Sequence, residues 1–292
     1  MLKLKLFSLY IFIKTIVCPC YKDTSLNAPR LKNHSKIHLI GRLPTIVNES
    51  SGLVALDSTT FLTHNDGGGR SEIYKVDSRG DLLNTYQLPC KNIDWEEITT
   101  DFKGSFYIGD FGNNSNERRN LRIYKTDTSI GRIIDTINFV YIDQEEYPPL
   151  RKLKNFDCEA FFVYGDSLFL FSKNRGKGPV KMYGLSKNIR QQSATIRQTL
   201  PIKGMVTACA FEPTLNVCAI LSYGKVYFYK VKNSDGAINL SFLACRKFAN
   251  AGQSEAISFL NDHTLIISNE GGRLFSMTID KDFWRVNDTS KK

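Results

Sequence analysis

Ser51, Glu96, Glu159, Thr207 and Glu255 each open a short apolar run, and each offers an oxygen ligand. The runs are Ser51-Gly52-Leu53-Val54-Ala55, Glu96-Glu97-Ile98-Thr99-Thr100, Glu159-Ala160-Phe161-Phe162-Val163, Thr207-Ala208-Cys209-Ala210-Phe211 and Glu255-Ala256-Ile257-Ser258-Phe259. Intervals of 45, 63, 48 and 48 residues separate them. If the runs converge, three carboxylates and two hydroxyls meet at one level. Like charges in a confined site repel, so such a ring calls for a cation. Oxygen donors suit hard ions and disfavour zinc or copper. A flexible set of oxygens completed by water favours Ca2+ over Mg2+. These five residues are the candidate metal ligands, with Ca2+ the expected cofactor. The plainer alternative is a polar, water-filled channel that binds nothing.

A second polar set follows the next strand of each repeat. It comprises His64-Asn65-Asp66, Asp110 with Asn113-Asn114, Lys173-Asn174-Arg175, Tyr223, and Asn269-Glu270. Asp94 and Asp157 stand two residues before Glu96 and Glu159. Alternate residues of a strand share a face, which puts both aspartates one level nearer the mouth of a channel. His64, Asp66 and Asp110 are the candidate acid–base groups, since a histidine titrates near neutrality. Asn65, Asp94, Asp157, Lys173, Asn174, Arg175, Asn269 and Glu270 are candidate ligand contacts, with Lys173 and Arg175 placed to hold an anion. Structural alternatives exist for each: Asp before a strand forms turns, and a His beside Asn-Asp is often a core residue. No G-x-S-x-G elbow, H-E-x-x-H pair or P-loop is present.

The elements that must position these residues repeat as well. After each run come a second strand, a third, and a fourth, punctuated by Gly and Asp. The first repeat shows this in Phe61–Asp66, Glu72–Asp77 and Leu82–Leu88. Strand-rich repeats of this length indicate a β-propeller. The last repeat lacks its fourth strand, and Ile37-His-Leu-Ile-Gly-Arg-Leu43 stands unused before the first. The predicted fold is all-β, a five-bladed β-propeller over residues 37–284 closed by an N-terminal strand. Six blades is the alternative, if residues 143–155 hide a degenerate blade.

Lys plus Arg number 39 against 29 acids, a net charge of +10. Eleven of these bases lie in 151–203, which reads as a solvated basic face or an anion-binding sector. No nucleic-acid motif accompanies the charge, which argues against a nucleic-acid partner. Residues 1–21 read as an export leader, with Lys3 and Lys5 before an apolar run too short to span a membrane. Cys18 or Cys20 is a candidate lipid anchor. Residues 22–36 read as a linker and 285–292 as a polar tail. The remaining cysteines lack metal spacing and read as buried apolar residues. The expected product is an exported monomer without a transmembrane span.

Asn48-Glu-Ser-Ser-Gly-Leu53, Thr63-His-Asn-Asp-Gly-Gly68, Asp94-Trp-Glu-Glu-Ile-Thr99, Ile108-Gly-Asp-Phe-Gly-Asn-Asn114, Asn155-Phe-Asp-Cys-Glu-Ala160 and Ile267-Ser-Asn-Glu-Gly271 together resemble a family of exported Bacteroidetes-type propellers. That resemblance implies fold and export more than activity. The order Ser51, Glu96, Glu159, Thr207, Glu255 is similar to the axial calcium ring of the calcium-activated nucleotidases, or apyrases, with Thr replacing one Ser. Segments matching their nucleotide contacts are lacking. A looser likeness links the Glu-Ala-apolar pattern to phytase-like and gluconolactonase-like propellers. Two functions follow as expectations. One is a binding or scaffold propeller stiffened by calcium, with a small anionic molecule or a protein as partner. The alternative is a calcium-dependent hydrolase of phosphate esters, or of lactones, at the channel mouth.

Overall fold

A strand such as Cys158-Glu-Ala-Phe-Phe-Val-Tyr164 carries apolar side chains on both faces. Neither face tolerates water, so each must be covered by another sheet. The computed structural model describes Cys20, residues 36–176, 178–202 and 204–280, and Phe283 and Trp284. Among these residues it is all-β apart from short turns. After β1 (Ile37–Arg42) the chain forms an antiparallel meander of β2 (Ser50–Ala55), β3 (Thr60–Asn65), β4 (Glu72–Asp77) and β5 (Leu82–Gln87). The second meander is β6 (Trp95–Thr100), β7 (Ser105–Asp110), β8 (Leu121–Asp127) and β9 (Ile133–Tyr141). The third is β10 (Cys158–Tyr164), β11 (Ser167–Ser172), β12 (Val180–Ser186) and β13 (Gln191–Leu200). The fourth is β14 (Val206–Glu212), β15 (Val217–Ser222), β16 (Lys225–Ser234) and β17 (Ala237–Lys247).

The last sheet contains β18 (Ser254–Asn261), β19 (Thr264–Asn269) and β20 (Arg273–Thr278), and its fourth strand is β1. Leu39 pairs opposite Phe275 there. The chain thus closes on itself, which leaves β20 no open edge. At the periphery β13 runs parallel to β9, Gln191 opposite Asn138, and joins the second and third meanders into one eight-stranded sheet. The connection between β9 and β10 carries a 3-10 turn at Arg151–Leu153 and no strand.

The first strands of the sheets touch in a closed cycle: β2 on β6, β6 on β10, β10 on β14, β14 on β18, and β18 on β2. Side chains of each first strand alternate between two cores. Ala208 and Ala210 pack with Ile257, Ile267 and Met277 on one side. Cys209 and Phe211 pack with Phe162, Phe171 and Met182 on the other. A fully buried Phe or Met contributes about 1.5–3 kcal/mol over an exposed one, so the cycle is held chiefly by these contacts between sheets.

Cys20 is disulfide-bonded to Cys245 of β17. A sulfur held in this bond is not free to carry a lipid. Cys209 and Cys218 are buried thiols with sulfurs 2.8 Å apart. Cys18, the rest of the leader, nearly all of the linker, and the tail fall outside the described residues. Among the described residues, no helix is long and apolar enough to cross a membrane.

Candidate functional site

A strand packed between two neighbours sends side chains alternately to each and none to the axis. A β-bulge breaks that alternation by one residue and re-aims a side chain. Each first strand slips against its second near its start: between Ser50 and Gly52, Trp95 and Glu97, Cys158 and Ala160, Val206 and Ala208, and Ser254 and Ala256, and β18 slips again between Phe259 and Asn261. The residues left over near the start are Ser51, Glu96, Glu159, Thr207 and Glu255. The repeated polar position is therefore a repeated bulge, and all five residues are buried. Both hydroxyls tie adjacent first strands together. Ser51 Oγ donates to the Glu96 carbonyl at 2.7 Å, and Thr207 Oγ1 to the Ser254 carbonyl at 2.8 Å.

Two internal cations reach one side of this ring. The Lys173 ammonium contacts the Glu159 carboxylate. Arg175 contacts Asp157 through Nε and Glu159 through a terminal nitrogen at 3.2 Å. The Tyr223 hydroxyl donates to Glu255 at 2.6 Å. Burial opposes the charge on Lys173, but Glu159 and Glu255 together hold its pKa well above the usual lysine value. Burial likewise pushes Glu159 up, and Lys173 pulls it back. This half of the ring is neutralised from within. Its donors are hard oxygens of the kind calcium takes, but an ammonium already lies against Glu159. A calcium ion shared by all five bulge residues does not fit that arrangement.

The other half differs. Asp66, Asp94 and Glu96 place carboxylate oxygens within 4.8 Å of one another, and Glu96, Asp157 and Glu159 do the same. Burial, then Glu159 and three further acids, raises the Glu96 carboxyl well above its ordinary value. Asp94 is pushed up to about 6 by burial and Asp66, with Arg118 opposing. Burial raises Asp66 too, against a 2.6 Å hydrogen bond from Gly67 N. Glu270 rises to about 7 through burial and Glu255. Glycines make room for these groups: a Cβ on Gly112 would meet Glu96 Oε1 at 2.1 Å, and one on Gly67 would meet Asp94 Oδ1 at 2.3 Å.

Several candidates are engaged elsewhere. His64 is fully buried, edge-on to Trp95, and its Nδ1 pairs with the Asn65 carbonyl at 2.9 Å. Burial lowers its pKa to about 4. The ring presents no exposed surface to the mouth. Asp110 is also fully buried; it accepts from Arg118 at 2.9 Å and from the Asp94 backbone at 3.0 Å. Asn65 and Asn269 bind backbone groups, through the Ile46 and Ala251 carbonyls respectively. Asn174 holds its own loop through Gly176 and Gly178. Much of the basic third meander is paired as well, Lys181 with Asp143, Lys187 with Asp166 and Arg190 with Asp135.

Glu97 escaped the sequence reading. Its buried carboxylate accepts from Cys209 N, across the channel in the fourth meander, at 3.1 Å, and from Ile98 N at 3.1 Å. The signal was present: the residue after the bulge is Gly52, Ala160, Ala208 or Ala256 in the other repeats. Only Glu97 is large, and it reaches the fourth meander. A separate hollow is lined by Ile98, Phe102, Phe211, Ile257 and Phe259.

A closed cycle of four-stranded meanders around a channel is the architecture of a β-propeller. No protein-family model matches the sequence, and no curated protein does. Among solved structures, a Bacteroides thetaiotaomicron protein of unknown function aligns at 8% identity and TM-score 0.46, over 84% of this chain and 76% of that one. The Cps50 (Swd1) β-propeller domain of Myceliophteria thermophila aligns at 10% identity and TM-score 0.46, over 84% and 100%. Virginiamycin B lyase of Staphylococcus aureus aligns at 13% identity and TM-score 0.41, over 79% and 66%. Activity does not transfer at such identities, and the fold assignment rests on the strand topology.

Proposed function

We propose that this chain is an exported, five-bladed propeller that acts as a binding module, and that its mouth receives a positively charged group. The disulfide supports export, since such bonds persist in oxidising compartments. The observation that carries the binding reading is the engagement of Lys173 and Arg175 by Glu159 and Asp157. Both cations expected to hold an anion are neutralised internally. The mouth keeps Asp66, Asp94 and Glu270, and a field of that sign attracts cations and repels phosphate.

The hydrolase reading gains no support from this geometry. It needs an accessible base and a free anion clamp. His64 and Asp110 are buried among protein partners, and the clamp is occupied. Thermal melting at low salt tests the binding reading. A linear polyamine or a divalent metal should raise the melting temperature, because a ligand bound only by the native state stabilises it. Inorganic phosphate and phosphate monoesters should not. Stabilisation by the anions alone would overturn the proposal. So would phosphoester or lactone turnover lost in Asp110→Asn with the fold intact.

A further inference from the structure

We propose that Asp66, Asp94 and Glu96 form a divalent-cation site, displaced from the channel axis toward the first and second meanders and selective for Ca2+-like ions. It rests on the reading that the mouth binds cations, and it names one class of them.

Glu96 carries the inference. The residue is 3% exposed, and among the described residues its carboxylate has no hydrogen-bond or ion-pair partner. A buried carboxyl group without a partner is costly. The acids on its two sides are treated differently. Asp157 and Glu159 have Arg175 and Lys173. Among the described residues, Asp66 and Asp94 have no such cation in contact; Arg118 reaches only the edge of Asp94, at 4.0 Å, and is committed to Asp110 at 2.9 Å. Among the described residues, one acidic triplet is thus met by two cations and the other only by Arg118 at its edge.

The geometry suits a metal ion. Three carboxylate oxygens within 4.8 Å of each other can share an ion at about 2.3–2.6 Å from each, with water completing the shell. No nitrogen or sulfur ligand is close enough to favour a transition metal among the three. Gly112 keeps the space open, since any Cβ there would strike both Glu96 Oε1 and the Asp94 carboxylate, at 2.1 and 2.4 Å. Asp94 is a quarter exposed on its side chain, so an ion has a way in from the mouth. An ion held here also joins two blades, because Asp66 follows β3 and Glu96 belongs to β6.

Trp95 stands between Asp94 and Glu96 in the chain and provides the readout. Chelator-treated, desalted protein is titrated with Tb3+ while indole is excited, and Ca2+ is then added as competitor. Sensitised terbium emission that Ca2+ displaces is the expected result. Asp66→Asn and Asp94→Asn should each weaken binding by about tenfold or more, since losing even an outer-shell partner of a ligand costs about 10–100-fold. Glu255→Gln, on the neutralised side, should bind within about threefold of wild type, below the cost of a lost ligand. No emission up to about 1 mM Tb3+, the weak limit of extracellular calcium modules, would overturn the site. So would loss in Glu255→Gln with both aspartate variants unchanged, which would place the ion on the axis. Circular dichroism checks that each variant is folded, and two partly exposed aspartates keep the test independent of any Glu96 variant. If a polyamine stabilises the protein while neither Tb3+ nor Ca2+ binds, the metal site falls and the cation-binding mouth stands. If none of the three binds, both fall.

Discussion

Glu97 of the second meander accepts a hydrogen bond from the Cys209 backbone N–H of the fourth, 112 residues away, at 3.1 Å. The contact spans the channel and couples sheets that are not neighbours in the cycle. Its carboxylate also accepts from Ile98 N at 3.1 Å, and burial raises its pKa well above the usual range. Every sheet but the second offers only Gly or Ala at this level, so no other side chain can take its place.

Replacing Glu97 by Ala should therefore destabilise the fold by more than a surface change. A buried N–H left without an acceptor costs about 1–3 kcal/mol, and here at least two lose theirs. Glu97→Gln should fall between Ala and wild type, keeping one acceptor oxygen and turning a donor on the other N–H. Urea unfolding measures both. A loss below about 0.5 kcal/mol for the Ala variant, the range of neutral surface substitutions, would show that this contact between the second and fourth meanders is not structural.

Lys173 and Glu159 make a second test of internal roles. Both are buried, and removing one partner of a buried pair costs about 3–5 kcal/mol because the other charge stays uncompensated. Lys173→Met should be severe. Adding Glu159→Gln to it should recover part of the loss, since the carboxylate in contact with Lys173 is then neutral. If instead Lys173→Met left stability unchanged, the ammonium would be free for a ligand, and the acidic reading of the mouth would weaken.

His64 should give a pH signature. Its pKa is about 4 in the fold against 6.5 free, so between these values the unfolded chain binds more protons than the folded one. Stability from this residue is complete above about pH 6.5 and is lost as pH falls toward 4; the gap is worth about 3 kcal/mol in all, and about 2 kcal/mol by pH 5. The raised carboxyls of Asp94 and Glu270 act the opposite way, losing stability as pH rises. The difference between wild type and His64→Gln isolates the histidine. That difference should shrink from pH 7.5 to pH 5, as read by urea unfolding. A constant difference would mean the ring is not buried neutral.

What could be read in the sequence was whatever repeats. The polar residue opening each first strand recurs because each sheet needs one bulge to face the axis, and recurrence survives without coordinates. The closing strand was legible for the same reason, since a three-stranded last repeat leaves β20 an edge that Ile37–Arg42 fills. What breaks the repeat was harder. Lys173 and Arg175 follow a strand end, where solvent is the default for a charge, and only three-dimensional proximity to Glu159 and Asp157 turns them inward. His64 is a related case: Gly52 opposite it, where three other repeats have Ala, gives the imidazole room, and a Cβ there would meet His64 Nε2 at 2.4 Å. That substitution was visible, but its meaning required knowing which strands pair. A disulfide partner for Cys20, 225 residues away, follows from no spacing rule.

That disulfide offers the last test. It ties the segment before β1 to β17 of the fourth meander, while β1 itself completes the last sheet. The bond and the strand therefore anchor the same end of the chain at two points. Cross-links closing long loops contribute about 2–5 kcal/mol, chiefly by restricting the unfolded chain. Reduction should lower the urea midpoint with the unfolding slope nearly unchanged, and Cys245→Ser should reproduce the effect and make the protein indifferent to reductant. Cys90→Ser, which removes a half-exposed thiol outside the bond, is the control and should keep the full sensitivity. A wild-type protein whose stability does not respond to reduction, or whose intact mass shows Cys20 absent or acylated, would refute the covalent latch.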